Sequence, residues 1–88
     1  MSTDRFVDEQ RKRITAVDRS IFEGVNRRLE LVAELKRYKD ERGIVFVDPE
    51  RETRMIAEQV AANGGPLSEE GLRSLYAELL ALTKREIG

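Results

Sequence analysis

The chain has 88 residues, of which 38% are charged, yet its basic and acidic side chains nearly balance at a formal net charge of -1. A balance this close to neutral does not indicate a nucleic acid or a membrane surface as the partner. The sequence contains no cysteine and no histidine, which excludes disulfides, thiolate nucleophiles and the most common general base and metal ligand.

The start of the chain and its hydropathy predict a cytoplasmic protein. Residues 1–4 are polar and lead into no apolar signal segment, and no apolar run approaches the length of a membrane span. The length is that of a single domain over residues 1–88, in which we expect residues 1–4 to be a frayed end.

The segment Arg5–Arg42 is predicted to form one long helix, because it holds no proline and its apolar residues recur at spacings of three and four. At about 1.5 Å per residue, this helix would extend over roughly 55 Å. So short a chain cannot cover the apolar stripe of such a helix, and we expect a second copy of the chain to do so. The stripe consists of Ile14, Val17, Ile21, Val25, Val32 and Leu35.

An arginine interrupts this apolar stripe. Arg28 follows Ile14 and Ile21 at the same interval of seven residues, and Leu35 continues this row. Arginine is rarely buried without an anionic partner. From this position alone, an internal salt bridge and a ligand site are equally good explanations of Arg28.

Two shorter helices are predicted after a connector. Gly43 suits the left-handed residue that ends a helix. Residues 44–47 are apolar and β-branched but few, so we favour an extended connector over a short strand. Asp48 is a good N-cap and Pro49 a good first helical residue, and the helix that they start should stop at the breaker in residues 63–66.

Ser68 is predicted to cap a third helix, whose first turn carries Glu69 and Glu70 where the helix dipole favours negative charge. Leucines from Leu72 to Leu82 supply an apolar face along this helix. The predicted fold class is therefore all-α, with three helices per chain, one long and two shorter.

Five polar residues do not fit a plain helical bundle: Arg11, Arg28, Lys39, Arg51 and Glu52. Arg28 and Lys39 share a face of the long helix at roughly 16 Å, so that their side chains, leaning together, would bracket a small dianion. Arg11 points about a quarter turn away and lies about 25 Å from Arg28. It reaches the same ligand only if an antiparallel partner helix carries it there.

The spacing of these residues is similar to that of a known family. Over residues 9–87 the chain resembles short monofunctional members of the all-helical (AroQ-type) chorismate mutases. The resemblance implies an intertwined homodimer of three-helix chains with two equivalent sites shared between subunits. The matching positions are Arg11, Ile14, Val17, Asp18, Ile21, Arg28, Lys39, Asp48, Arg51 and Glu52.

Members of this family convert chorismate to prephenate, a step of aromatic amino-acid biosynthesis, by an intramolecular Claisen rearrangement. The reaction is pericyclic and requires no nucleophile, metal or cofactor, so a chain without histidine and cysteine is compatible with it. The resemblance implies an isomerase that holds chorismate in a compact conformation and stabilises the charge that develops as the ether bond breaks.

The resemblance also implies roles for single residues. Arg11 of the partner subunit and Arg28 would hold the two substrate carboxylates by charge-assisted hydrogen bonds. Lys39 would face the ether oxygen, where negative charge grows in the transition state, and Glu52 would accept a hydrogen bond from the ring hydroxyl. For each of these residues, a surface or interhelical salt bridge is the alternative explanation.

The implied site extends to the second and third helices. The backbone near Asp48 would help to hold the ring hydroxyl, and Arg51 would support the carboxylate side and orient Glu52. Thr83 falls where the family usually has a serine. Ile87 falls where it has a glutamine, the second donor to the ether oxygen, and isoleucine cannot donate. Losing one such donor typically costs about 3 kcal/mol of transition-state stabilisation.

Three explanations of this departure remain. The enzyme is intrinsically slow, or it is completed by docking on a shikimate-pathway enzyme (DAHP synthase), or its substrate differs from chorismate. We favour the first two together, which predict weak activity of the chain without a partner.

Other functions are compatible with parts of the sequence. An isochorismate-pyruvate lyase or an amino-chorismate mutase would use nearly the same cationic pocket on the same fold. A non-catalytic helical homodimeric adaptor would explain the long helix and the charged surface, but it would not explain an arginine in the apolar stripe at Arg28. Saturable binding of chorismate distinguishes an enzyme from an adaptor.

Overall fold

The structure is a computed structural model that describes residues 4–88, and it contains three α-helices. They are α1 (Arg5–Arg42), α2 (Pro49–Ala62) and α3 (Glu69–Ile87). Within residues 4–88 there is no β-strand, which confirms the predicted all-α class and its one long and two shorter helices.

The beginning of α1 is capped by a side chain. The Asp4 Oδ1 atom accepts a hydrogen bond from the Val7 backbone N–H at 3.2 Å, and the Asp4 carbonyl accepts one from Asp8 N at 3.2 Å. These bonds satisfy amide groups that lack partners within the helix. For residues 1–3, the prediction of a frayed end lies outside the described residues.

The end of α1 has the predicted glycine cap. Gly43 has a φ of 66°, in the left-handed region that residues with a Cβ rarely adopt. The Ile44 N–H donates to the Lys39 carbonyl at 2.9 Å, and the Gly43 N–H approaches the Asp40 carbonyl at 3.4 Å. These bonds satisfy carbonyls of the last turn, and the chain continues into residues 44–47 as a connector, as predicted.

Helix α2 begins at the predicted N-cap. The Asp48 Oδ1 atom accepts from the Arg51 N–H at 3.1 Å, and Pro49 occupies the first helical position. The helix ends at Ala62, and the Asn63 side-chain amide donates to the Leu67 carbonyl at 2.8 Å. A side chain therefore caps the start of α2, whereas at its end the Asn63 backbone N–H donates to the Val60 carbonyl at 3.3 Å.

Helix α3 packs against α2 and is capped by Ser68, whose Oγ atom accepts from the Gly71 N–H at 3.0 Å. A Cβ at Gly71 would lie 3.0 Å from the Leu67 Cδ1 atom and 3.1 Å from the Ser68 Oγ atom, so this first turn is closely packed. The predicted cap and start of the third helix are thus confirmed.

The chain divides into two compact units. The first ends at Leu31, and the second comprises Val32–Gly88. In the first unit the apolar stripe of α1 is open: Ile14 and Val17 are each 58% exposed and Ile21 is 55% exposed. In the second unit Thr83 is 9% exposed. The expectation of a single domain over residues 1–88 stays a prediction.

No apolar side chain in residues 4–88 is fully buried. A folded chain normally removes its large aliphatic side chains from water, because this burial is the main favourable term in folding. The single chain therefore leaves the apolar stripe of α1 uncovered. None of the helices in the described residues combines the length and hydropathy needed to cross a bilayer.

Candidate active site

The predicted site residues are distributed over all three helices and both units. The first unit holds Arg11 and Arg28, and the second holds Lys39, Asp48, Arg51, Glu52, Thr83 and Ile87. Helix α1 contributes predicted residues to both units.

A few charged residues are less exposed to solvent than the others. Across residues 4–88 most charged residues are exposed, but five are half-buried. Removing a charge from water is unfavourable, so a half-buried charge in a small helical chain requires a local reason. The half-buried charged residues are Asp8, Arg28, Lys36, Lys39 and Glu52.

Two neighbouring arginines in α1 show the contrast. Arg27 is exposed, and its Nη1 atom lies 3.2 Å from the Glu30 Oε2 atom in a surface ion pair of little energetic value. Arg28 is half-buried, on the side of the helix where the apolar stripe runs. Arg11 is exposed along its part of α1. The chain thus partly covers Arg28 and leaves Arg11 in solvent.

Lys39 lies near one aromatic side chain of the connector that follows α1. Its Nζ atom is 5.8 Å from the centroid of the Phe46 ring, within the range of a cation–π contact. Phe46 is half-buried, whereas its neighbours Val45 and Val47 are 76% and 56% exposed. The connector therefore turns one aromatic side chain toward the lysine, which limits the directions in which the ammonium can point.

The start of α2 positions three predicted residues in sequence. The Asp48 carboxylate accepts from Arg51 N, and its carbonyl accepts from Glu52 N, both at 3.1 Å. Glu52 is half-buried and Arg51 is exposed. The first helical turn, where the N-terminal end of the dipole stabilises negative charge, thus carries the Glu52 carboxylate on a fixed backbone.

The last two turns of α3 carry Thr83 and Ile87. Thr83 is buried, and its Oγ1 atom donates to the Leu79 carbonyl at 2.7 Å. Ile87 is half-buried and lies one turn later, on the same side of the helix. Ile87 offers only a hydrocarbon surface, so this end of α3 supplies shape at that position and no hydrogen bond.

Two side chains that sequence analysis does not identify accompany the predicted residues. Phe46 faces Lys39, and the Lys36 Nζ atom donates to the Gly88 main-chain oxygen at 3.2 Å. The one signal for Phe46 in the sequence is that it is the aromatic residue of the connector. The Lys36 contact joins positions 52 residues apart, and no local pattern indicates it. In the described part of the chain, no group of three or more acidic side chains could hold a metal ion.

Comparison with known proteins identifies the family. The model of the family described as chorismate mutase type II matches residues 10–87. The chain belongs to this family. The resemblance stated from the spacing of Arg11, Arg28, Lys39 and Glu52 is thereby confirmed, as are chorismate mutase activity, the isomerase class and chorismate as the implied substrate.

Two solved structures of chorismate mutase from Thermus thermophilus are similar to this family member. The Form II structure has a TM-score of 0.87 at 31% identity, and the alignment covers 94% of each chain. The Form I structure has a TM-score of 0.85 at 33% identity, and its alignment covers 90% of this chain and 99% of the other. No curated protein matches the chain. These findings do not favour the lyase, the amino-chorismate mutase or the adaptor.

Proposed function

We propose that this chorismate mutase family member rearranges chorismate to prephenate in two equivalent sites, each shared between the subunits of an intertwined homodimer. The observation that carries this proposal is the partial burial of Arg28, Lys39 and Glu52 in a chain whose other charged residues, Asp8 and Lys36 apart, are exposed across residues 4–88. These three are the residues expected to contact the substrate.

The two carboxylates of chorismate require two cationic groups. We assign one to Arg28 and the other to Arg11 of the partner subunit, because a guanidinium binds a carboxylate through two parallel hydrogen bonds. Arg11 is exposed in the single chain, as expected of a residue that completes the site of another subunit. Holding both carboxylates keeps the substrate in the compact conformation from which the new carbon–carbon bond forms.

Lys39 is proposed to donate to the ether oxygen. As the carbon–oxygen bond breaks, negative charge accumulates on that oxygen, and a preorganised cation stabilises the transition state more than the ground state. The contact with Phe46 supports this role, since an ammonium held over an aromatic ring needs less reorganisation when the substrate binds.

Glu52 is proposed to accept a hydrogen bond from the ring hydroxyl of chorismate, with the backbone at Asp48 on the other side of that hydroxyl. The two hydrogen bonds from α2 to Asp48 fix this backbone. Arg51 is exposed and is assigned the support of the carboxylate side and the orientation of Glu52.

Thr83 and Ile87 are proposed to line the site from α3. Since Ile87 cannot donate to the ether oxygen, Lys39 acts there alone, and we infer that the chain is a slow enzyme by itself. Docking of a shikimate-pathway enzyme (DAHP synthase) is the proposed route to a higher rate, because a partner can supply or reposition groups at the end of α3.

The homodimer is supported by the exposed stripe of α1. Ile14, Val17 and Ile21 together present an apolar row that a second copy of the helix would cover. We further propose that the enzyme acts in the cytoplasm, where the aromatic amino-acid pathway would supply chorismate.

The test of this function is the decrease in ultraviolet absorbance of chorismate on addition of the purified protein, with the product identified by chromatography. Formation of prephenate at a rate well above the uncatalysed rearrangement is expected. Release of pyruvate would instead indicate a lyase. Absence of both turnover and binding of a bicyclic transition-state mimic would contradict the proposed function.

A further inference from the structure

Lys36 is a half-buried lysine to which the proposed reaction assigns no role. Lysine is normally among the most exposed residues, and the adjacent Arg37 is exposed. Lys36 lies three residues before Lys39, so the two side chains are neighbours on one face of α1. This position brings a second cation next to the lysine that is proposed to act on the ether oxygen.

The Lys36 ammonium has a defined partner at the end of α3. Its Nζ atom donates to the Gly88 main-chain oxygen at 3.2 Å. Gly88 directly follows the last residue of α3, at the negative end of the helix dipole, which favours a cation close to its main-chain oxygen. The Gly88 N–H donates to the Lys84 carbonyl at 3.0 Å, so this contact continues directly from the last helical turn.

Gly88 has a backbone conformation that few residues other than glycine adopt. Its φ is 86°, in the region that favours glycine. A Cβ built there would lie 4.0 Å from the Lys36 Nζ atom, an ordinary contact distance, so space does not require the glycine and backbone conformation does.

The contact matters because of the residues that precede Gly88. Ile87 is adjacent to it, and Thr83 is about one turn earlier on the same side of α3. Without an amide donor at Ile87, we expect this part of α3 to contribute to the reaction by its position and by limiting the access of water to the site. A cation near a developing charge is effective where water is excluded.

We propose that Lys36 is a positioning residue: by donating to the Gly88 main-chain oxygen, it ties the end of α3 to the turn of α1 that carries Lys36 and Lys39. This inference rests on the proposed function for its effect on rate, and on the observed hydrogen bond for its effect on structure. Lys36 contacts no reacting atom, so its removal acts through the placement of Thr83 and Ile87.

The test compares Lys36→Met, which removes the ammonium and keeps an unbranched apolar stem, with Lys36→Arg, which keeps a cation and its donors. For Lys36→Met we expect kcat to fall about tenfold with KM changed less than about twofold, because misplacement of a site wall affects the transition state most. Lys36→Arg should recover most of this loss. The matched control is Arg37→Met, at the exposed neighbouring position, and it should match the wild type.

A second measurement separates positioning from general destabilisation. Hydrogen–deuterium exchange of a peptide spanning residues 80–88 should become several-fold faster in Lys36→Met, and stay at the wild-type rate in Lys36→Arg and Arg37→Met. Lys36→Ala, which also removes the donor, provides the same comparison if Lys36→Met does not fold. A wild-type kcat in Lys36→Met, or a lower kcat with unchanged exchange, would overturn the inference. A wild-type protein that does not turn over chorismate would contradict the proposed function instead, and the exchange rates would still decide the positioning.

Discussion

The stripe of α1 in the first unit and the last turns of α3 in the second unit differ in how far the single chain buries their side chains. In the stripe, Ile14, Val17 and Ile21 are each more than half exposed. In α3, Thr83 is buried and Ile87 is half-buried, and the Gly88 oxygen has a side-chain donor. One chain is enough to organise the end of α3, whereas it leaves the stripe of α1 open, and in the proposed homodimer a second copy covers that stripe.

The difference indicates where function depends on assembly. Arg11 lies in the region that the proposed partner subunit would cover, and it is exposed. Lys39 and Glu52 lie in the region that the chain organises by itself, and both are half-buried. The account therefore predicts that substitutions in the apolar stripe affect dimer formation, and that substitutions of Lys39 and Glu52 affect the chemical step.

The largest effect is expected at the apolar stripe. Ile21→Glu would place an unpaired carboxylate from each chain in the interface, and the penalty of several kcal/mol per buried ion predicts a dimer dissociation constant weakened by more than about 10³-fold. Sedimentation velocity over a concentration series measures this change. Glu23→Lys, a charge change about half a turn away, is the control and should remain dimeric. A fully dimeric Ile21→Glu protein would show that the stripe is not the interface.

Loss of a carboxylate partner is expected to have the next largest effect. Arg28→Ala should lower kcat/KM about 10³-fold, since removing one member of a charged hydrogen-bonded pair costs about 4 kcal/mol. Arg27→Ala, which removes only the surface pair with Glu30, should change kcat/KM less than about twofold. Steady-state kinetics with chorismate measures both variants. Equal losses in the two variants would assign Arg28 to the surface with Arg27.

Lys39 tests the second region through the division between kcat and KM. Lys39→Ala should lower kcat about 10²-fold and raise KM much less, because its contact with the ether oxygen strengthens in the transition state. Lys84→Ala, at an exposed position in the last turn of α3, serves as the control. Unchanged kcat with a higher KM would show that Lys39 binds substrate and does not stabilise the transition state.

The smallest expected effect is a gain. Ile87→Gln introduces an amide donor at the end of α3 and should raise kcat about tenfold, less than the full value of an optimally placed donor. Glu86→Gln introduces the same amide at the exposed neighbouring position and should leave kcat unchanged. If Ile87→Gln is no faster than the wild type, the end of α3 does not reach the ether oxygen.

Much of the fold follows from local sequence signals. The ends of α1, α2 and α3 coincide with Gly43, Asp48 and Ser68, because caps act through backbone groups within a few residues. The connector at residues 44–47 is also predicted, since four apolar residues are too few for a paired strand with no neighbour.

The candidate site is predicted less completely. The spacing of polar residues along α1 and at the start of α2 singles out five residues. In the structure Arg28, Lys39 and Glu52 are half-buried, whereas Arg11 and Arg51 are exposed. The contact between Lys36 and Gly88 depends on how α1 and α3 meet in space, and the placement of Phe46 depends on the path of the connector. Periodicity carries no information about either, because both arise from tertiary packing.

The most direct test of a site shared between subunits is complementation between two inactive chains. Arg11→Ala and Arg28→Ala homodimers should each be inactive, because every site lacks one arginine. After subunit exchange at equal concentrations, a heterodimer would combine both substitutions in one site and leave the other intact. Half of the dimers would then carry one working site, and activity should return to about a quarter of the wild-type value. No recovery after exchange is confirmed by mass spectrometry would contradict the shared site.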